Sequence, residues 1–432
     1  MNLFNPIFNT FEFIVTTGMK HFTTQEKIKH LLGFPVIVAA LGYFVDIYDL
    51  LLFGIVRVPS LKSMGLDADV AGTYILSFQM TGLIVGGILW GILGDKKGRL
   101  SVLFGSILVY SLANIACGFL PQMHFADPVL TYAVLRFIAG VGLAGELGAG
   151  ITLVSETLPK ELRAIGTSLV AGFGILGAVV AQLTVELAGS WTTAYFIGGA
   201  LGLALLVLRI SVAESGIFHA VKQNHAIKKG NFFSFFSNKT RLIKYLKCIA
   251  IGLPIWFCIG ILVLMANQFA PEMGIKTLVP GKAILWSYLF ASIGDFSSGF
   301  ISHRLASRRK TMFLMMGFTL VGVMLLLLSG PKSENMYYFY CAWIGLGTGF
   351  WAMYVTVAAE QFGTNIRSTA ATTIPNMVRG MLPVMLLGFD FLKKTNTVIF
   401  SAAVVGFVVF AIGFYAIYTI KETHNSDMNF VE

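Results

Sequence analysis

Two carboxylates three residues apart, Asp46 and Asp49, stand in the middle of an apolar stretch. On a helix that spacing puts both on one face. Two acids so placed in a low dielectric cannot both stay ionised easily, so the pair suits reversible proton binding. The structural alternative is a pair locked by an arginine or by helix N-termini. Arg136 and Glu146 lie about 15 Å apart along a second helix, too far to pair within it. Around Glu146, Gly140, Gly142, Gly145 and Gly148 permit close helix contact. Glu146 therefore reads as a second protonation or substrate-contact site, or as a hydrogen-bonded fastener between helices. Arg379 and Asp295 are the corresponding charges of the second half. A lone arginine facing a cavity is a planar fork for a substrate carboxylate, which favours an organic acid or zwitterion over a neutral sugar. It could equally neutralise Asp295 or Asp390. Tyr48, Gln79, Asn376, Trp256 and Trp351 are candidate substrate contacts, with Gln182 and Tyr354 as further groups, although aromatic residues in helices are more often packing.

The elements that must carry these groups are set by composition. Of 432 residues 56% are hydrophobic and only 12% charged, against about 25% charged in soluble domains. A chain so poor in charge needs lipid around it. Apolar runs at 33–57, 70–94, 101–120, 130–155, 164–187, 191–211, 245–268, 282–303, 311–330, 337–359, 371–391 and 397–420 each offer roughly the 20 residues that cross a bilayer as a helix. The expected fold is all-α and polytopic, with 12 transmembrane helices in two pseudo-symmetric six-helix bundles. With the N-terminus inside, 22 of the 31 Lys and Arg residues fall in inner connections and seven in outer ones, leaving Arg136 and Arg379 within spans. That bias puts both termini in the cytoplasm and suits a bacterial inner membrane. It also explains the net charge of +10 without nucleic acid. Cys117, Cys248, Cys258 and Cys341 lie inside apolar runs without metal-ligand spacing and read as packing residues. No metal, cofactor or nucleophile cluster is expected within the spans, so an enzyme is not.

The longest connection, 212–244, is basic and divides a bundle at 33–211 from one at 245–420; a leader at 1–32 and a tail at 421–432 flank them. The halves repeat. Ser155-Glu-Thr-Leu-Pro-Lys-Glu-Leu-Arg163 returns as Ala359-Glu-Gln-Phe-Gly-Thr-Asn-Ile-Arg367, keeping Glu156 with Glu360 and Arg163 with Arg367. More weakly, Gly91-Ile-Leu-Gly-Asp95-Lys returns as Gly299-Phe-Ile-Ser-His303-Arg. The connection Gly91-Ile-Leu-Gly-Asp95-Lys-Lys-Gly98-Arg99-Leu100 joins an acid to a Gly-Arg turn, a charged latch that can break and re-form at the mouth of a helix bundle. The cytoplasmic gate is accordingly expected at Gly91, Asp95, Gly98, Arg99, Glu156, Arg163, Glu360 and Arg367.

This connection resembles the signature of the major facilitator superfamily, with Leu100 in place of its second basic residue. Arg136-Phe-Ile-Ala-Gly140-Val-Gly142-Leu-Ala-Gly145-Glu146-Leu-Gly148, then Glu156, Pro159 and Arg163, and Arg209-Ile-Ser-Val-Ala-Glu214-Ser215-Gly-Ile-Phe218 extend the likeness. With Asp46-Ile-Tyr48-Asp49 they resemble its metabolite:proton symporter branch, densely in the first half and thinly in the second. Asp46 stands where glutamate is commoner, Gly216 and Gly363 replace prolines, and His303 replaces the second latch acid. The Gly-rich fifth-span motif of drug antiporters is not evident, which argues against drug efflux. The resemblance implies alternating access, with small-molecule substrate and protons as partners, in a monomer. Proton coupling is expected at Asp46, Asp49, Arg136 and Glu146. A passive facilitator, a proton antiporter or exporter and a transporter-like nutrient sensor remain the alternatives, the last disfavoured by the short tails.

Overall fold

The computed structural model describes residues 23–97, 99–123, 126–148, 150, 154, 158–159, 162–214, 232–363 and 366–424. Among them there is helix and no strand, as lipid demands of a backbone that must satisfy its own hydrogen bonds. Eleven helices are long and apolar enough to cross a bilayer. They are Val36–Ser63, Val70–Leu93, Ser101–Gly118, Pro128–Gly148, Ile165–Ala188, Trp191–Arg209, Lys239–Val263, Pro280–Leu305, Arg308–Ser329, Glu334–Glu360 and Val398–Thr419. The remaining expected crossing, the eleventh in chain order, is built in two pieces, Arg367–Gly380 and Leu382–Lys393, which meet at Met381. Thr369, Thr372, Thr373, Asn376 and Arg379 make the first piece too polar to qualify alone, and Pro375 sits inside it. Helix starts follow local chemistry. Asp127 accepts the Leu130 N–H at 2.9 Å, Ser333 the Met336 N–H at 3.3 Å and Thr397 the Phe400 N–H at 3.2 Å, each occupying a donor the helix leaves unpaired.

We call the end of the bundle where the first span starts and the twelfth finishes the near face, and the opposite end the far face. The repeat seen in the sequence is visible in the packing. Spans two and four pack closely, as do spans eight and ten; between the halves, span two lies on span eleven and span eight on span five. Glycine decides the first of these contacts. A side chain at Gly82 would run into the Phe137 carbonyl and one at Gly140 into the Gln79 carbonyl, so the two backbones touch at both positions. The outer surface is apolar, with Leu187, Leu328 and Phe407 more than three-quarters exposed, which suits contact with acyl chains and not water.

Several helices are broken where they face the centre. The fifth divides at Leu176 into Arg163–Ile175 and Gly177–Ala188. Past Pro254 the seventh turns into a π-helical segment, Cys258–Val263. The tenth divides into Glu334–Thr348 and Trp351–Glu360. Such interruptions are tolerated at membrane depth only where backbone is buried in protein or lines a cavity.

Candidate functional site

A cavity lies at the meeting of the two halves. It is lined by Tyr43 and Ile47 of the first span, Ile175 of the fifth, Ile255, Trp256 and Ile259 of the seventh, Ser287, Tyr288 and Ala291 of the eighth, Thr348 and Trp351 of the tenth, and Arg379 of the eleventh. The breaks in the fifth, seventh and tenth spans are what bring Ile175, Ile259 and Trp351 to it. Arg379 is its one charged wall residue, and it is buried. The guanidinium lies 5.6 Å from the centre of the Trp351 ring and 5.9 Å from that of Trp256, with Asn376 Oδ1 at 3.5 Å. Its Nε has no hydrogen-bond partner. Two indole faces hold the fork while leaving donors for a carboxylate.

Of the candidate substrate contacts, Arg379, Trp256 and Trp351 line this cavity. The others are engaged elsewhere. Asp295 Oδ1 accepts the Ala352 N–H at 3.1 Å, placing its charge at the N-terminus of the second piece of the tenth span. It therefore props the helix that carries Trp351. Asp390, the other acid considered for Arg379, pairs instead with Lys393 at 2.7 Å. Tyr48 donates to the Ala194 carbonyl at 3.1 Å. Gln79 donates to the Leu50 carbonyl at 2.8 Å. Asn376 donates to the Ala144 carbonyl at 2.8 Å, across the halves on the near side of Arg379.

Asp46 and Asp49, about one and two turns beyond Tyr43, are fully buried, and neither carboxyl has a hydrogen-bond partner. Asp46 lies in the fields of Arg379, Glu146, Asp49 and Arg209. Asp49 lies in that of Arg136 with the Asn114 amide beside it. Arg136 gathers the first half: Nε donates to Gln79 at 3.1 Å, Nη1 to Asn114 at 2.7 Å and Nη2 to the Asp49 carbonyl at 3.1 Å, while Tyr195 stacks on the guanidinium at 5.5 Å. Glu146 has a different setting. It forms a buried two-pronged ion pair with Arg209, one prong at 3.0 Å. The first span passes over this pair at Gly42, where a side chain would meet both partners. Arg209, which the sequence places among the inner loop charges, is thus part of the core. Its location in the last turns of an apolar run disguises it.

Sequence reasoning missed the seal on the far face. Arg57, expected in an outer connection, is inside the first helix, which continues past Pro59 to Ser63, and it is fully buried. It donates to the Ala68 carbonyl at 2.8 Å and to Asp69 at 3.4 Å in its own half, and to the Leu264 carbonyl at 3.3 Å and Asn267 at 2.5 Å in the other. Asn267 and Gln268 also donate to Asp69, at 3.0 and 3.2 Å, and Lys393 holds Gln268 at 2.7 Å. Burial would push the Asp69 carboxyl up, but the hydrogen bonds from Asn267 and Gln268 and the charge of Arg57 hold it below the usual aspartate range. Tyr43, Tyr288, Ser287 and Thr348 were also missed as cavity wall. Tyr43, one turn before Asp46, had the spacing to be found.

On the near face the expected latch is only partly visible. Gly98 and Glu156, and the side chains of Asp95, Arg99 and Arg163, lie outside the described residues. Gly91 packs toward Thr373 and Thr369 of the eleventh span. Glu360 is bound by Arg308 at 2.7 Å, with the Arg367 charge close by, and Arg367 Nε reaches the Phe362 carbonyl at 3.3 Å. The two halves are thus joined on the far side of the cavity by the Arg57 network and on its near side by the Asn376 contact.

Comparison with known proteins agrees with this architecture. The family model described as Major Facilitator Superfamily matches residues 39–381. The gentisate transporter of Corynebacterium glutamicum is 25% identical over 84% of this chain and 84% of its own length. The benzoate transport protein of Acinetobacter baylyi is 26% identical over 77% and 78%. Among solved structures, the xylose transporter XylE from E. coli in an inward open conformation superposes with a TM-score of 0.69 at 13% identity, covering 91% of this chain and 97% of that one.

Proposed function

The chain belongs to the Major Facilitator Superfamily, and we propose that it carries a small organic acid, an aromatic carboxylate best of all, into the cell by proton symport. It is a multi-pass membrane transporter and not an enzyme. The observation that carries the substrate class is Arg379 in the central cavity, buried beside Trp256 and Trp351, with Tyr43 and Tyr288 lining the same cavity. A carboxylate satisfies the fork, and the four aromatic side chains suit a flat apolar ring in chemistry. The names of the gentisate and benzoate transporters agree with this choice.

Asp46 and Asp49 supply the coupling. They are buried and without hydrogen-bond partners, so each carries its charge at high cost, and a proton removes that cost. Asp46 shares the electrostatic field of Arg379, so a substrate anion at Arg379 and a proton on the first span compensate one another's charge. Arg136 keeps the partner groups of the Asp49 turn in place, while Glu146 and Arg209 fasten the first half. In this reading the near face is cytoplasmic, because the Lys and Arg excess lies there. Opening alternates between the Arg57 seal and the near-face contacts, and a few kcal/mol of differential affinity suffice to bias it.

The test is uptake into proteoliposomes under an imposed inward proton gradient, with benzoate, gentisate, an amino acid and a sugar compared, and Asp49→Asn alongside. Gradient-driven accumulation of the acids, lost in the variant, supports symport. Equilibration unaffected by gradient or variant leaves a facilitator, and stimulation by an outward gradient leaves an antiporter.

A further inference from the structure

The first half keeps its buried acids on two levels. On the far side Asp49 lies against the sixth span, where a side chain at Gly198 would run into its carboxyl. On the near side the Glu146–Arg209 pair lies against the first span at Gly42, one turn before Asp46 and on the same face. Tyr110 of the third span stands between the levels. A side chain at Gly142 of the fourth span would run into the Tyr110 backbone and Cβ, and one at Gly202 of the sixth would press on its ring. Gly142 is about one turn from Glu146, and Gly202 about one turn from Gly198 on the way to Arg209. Tyr110 is fully buried, and its hydroxyl has no hydrogen-bond partner. A buried hydroxyl left unpaired is uncommon and costly, and calls for a reason. This one lies in the fields of Glu146, Asp49, Asp46 and Arg209 together. Arg209 Nε is likewise buried without a partner, and Asp46 lies within the field of that arginine. Arg379 and Asp49 are the other charges acting on Asp46, with Tyr43 one turn before it. Tyr110 does not line the cavity that holds Arg379.

We propose that the Tyr110 hydroxyl relays a proton from the acids of the first span to Glu146, inside the first half and apart from the substrate cavity. The pair that fastens this half then also receives the proton on its way to the near face. This rests on the symport reading. In the step, protonated Asp46 gives its proton to the Tyr110 oxygen as the hydroxyl proton passes to a Glu146 oxygen. Asp46 is left a carboxylate, Glu146 becomes neutral, and Tyr110 ends as it began. Arg209 turns its free donor from the acid that has lost its charge to the one that has gained it, so no buried charge stands alone.

The experiment compares wild type, Tyr110→Phe and Glu146→Gln as full chains in proteoliposomes with labelled gentisate. Accumulation under an imposed inward proton gradient is set beside exchange, in which vesicles preloaded with gentisate trade it at equal pH. Exchange shuttles the loaded carrier and needs no proton to leave, so the relay is idle in it. Tyr110→Phe should lower the rate of accumulation roughly tenfold or more and leave exchange within about twofold of wild type. Its unfolding in detergent should come at the wild-type temperature or above, because the hydroxyl removed has no partner to lose. Glu146→Gln keeps an acceptor for Arg209 but cannot take a proton, and should show the same split. Should Glu146→Gln not insert, Tyr110→Phe decides alone. Wild-type accumulation in either variant overturns the relay and leaves symport standing. A loss of exchange in proportion to accumulation in Tyr110→Phe, or its failure to insert, also overturns the relay, since either makes Tyr110 a packing residue. A wild type in which the gradient drives no accumulation fails the symport reading, and the relay falls with it.

Discussion

Asn267→Leu should unseal the far face. Four hydrogen bonds cross between the halves there: Arg57 to the Leu264 carbonyl, Arg57 to Asn267, Asn267 to Asp69 and Gln268 to Asp69. The substitution removes the two made by Asn267, at 2.5 and 3.0 Å, and leaves Arg57 its bonds to Ala68, Asp69 and Leu264, so no buried charge is stripped bare. A hydrogen bond to a charged group contributes about 1.5–3 kcal/mol when buried. Asp69 is 51% exposed, and solvent screens its share. Taking about 1 kcal/mol for each bond gives about 2 kcal/mol, or roughly 30-fold toward opening on that side. Nitroxides on Lys62→Cys and Lys276→Cys, exposed on the far face of opposite halves, report the separation by pulsed electron resonance. The four native cysteines are buried and leave the labelling clean. A distance distribution that does not lengthen in Asn267→Leu, nor in Asp69→Ala, would refute the assignment of this network as the seal.

Arg379→Lys keeps the charge and loses both the fork and the stacking on Trp256 and Trp351. The loss of about 1.5–3 kcal/mol should raise KM for an aromatic acid roughly ten- to a hundredfold in the proteoliposome assay, and an unchanged KM would exclude the carboxylate role. Glu146→Ala leaves Arg209 buried without its partner, which costs about 3–5 kcal/mol. Its thermal unfolding in detergent should fall steeply, and a wild-type profile would show that the pair is not the fastener described. The far-face seal should be flat with pH between 5 and 8. Asp69 is held below the usual aspartate value, so its contribution is complete above about pH 4 and is lost only as pH falls through its lowered value. A transition of the Lys62–Lys276 distance inside that window would place the titrating group elsewhere in the seal.

The spans were legible because lipid excludes charge, and nearly every long apolar run of the sequence became a helix. What hydropathy could not give was where a helix ends. Arg57 and Arg209 stand at the limits of apolar runs, and a loop lysine would give the same signal there; only the helix continuing past Pro59, or Glu146 turned toward position 209, shows that they are buried. Arg379, Trp256 and Trp351 could be singled out because an arginine in mid-span needs an explanation. The partners of Arg57 could not, since Leu264 and Asn267 belong to the other half and no local pattern joins them. Asp295 shows the opposite error. A mid-span acid suggested substrate, but the break at Gly349 and Phe350 creates unpaired N–H groups that claim it first.

The breaks in the fifth and eleventh spans fall at Leu176 and Met381, nearly the same place in the repeated unit. Each faces a partner from the other half, the eighth and the second, that runs unbroken. Each seam between the halves thus pairs a straight rail with a jointed one. In the alternating access proposed above, a jointed member would follow the curve of its neighbour as the halves tilt and keep side chains meshed along the seam. In that cycle the joint would tie the two faces mechanically, so that stiffening it is felt at the Arg57 network and at the near-face contacts alike.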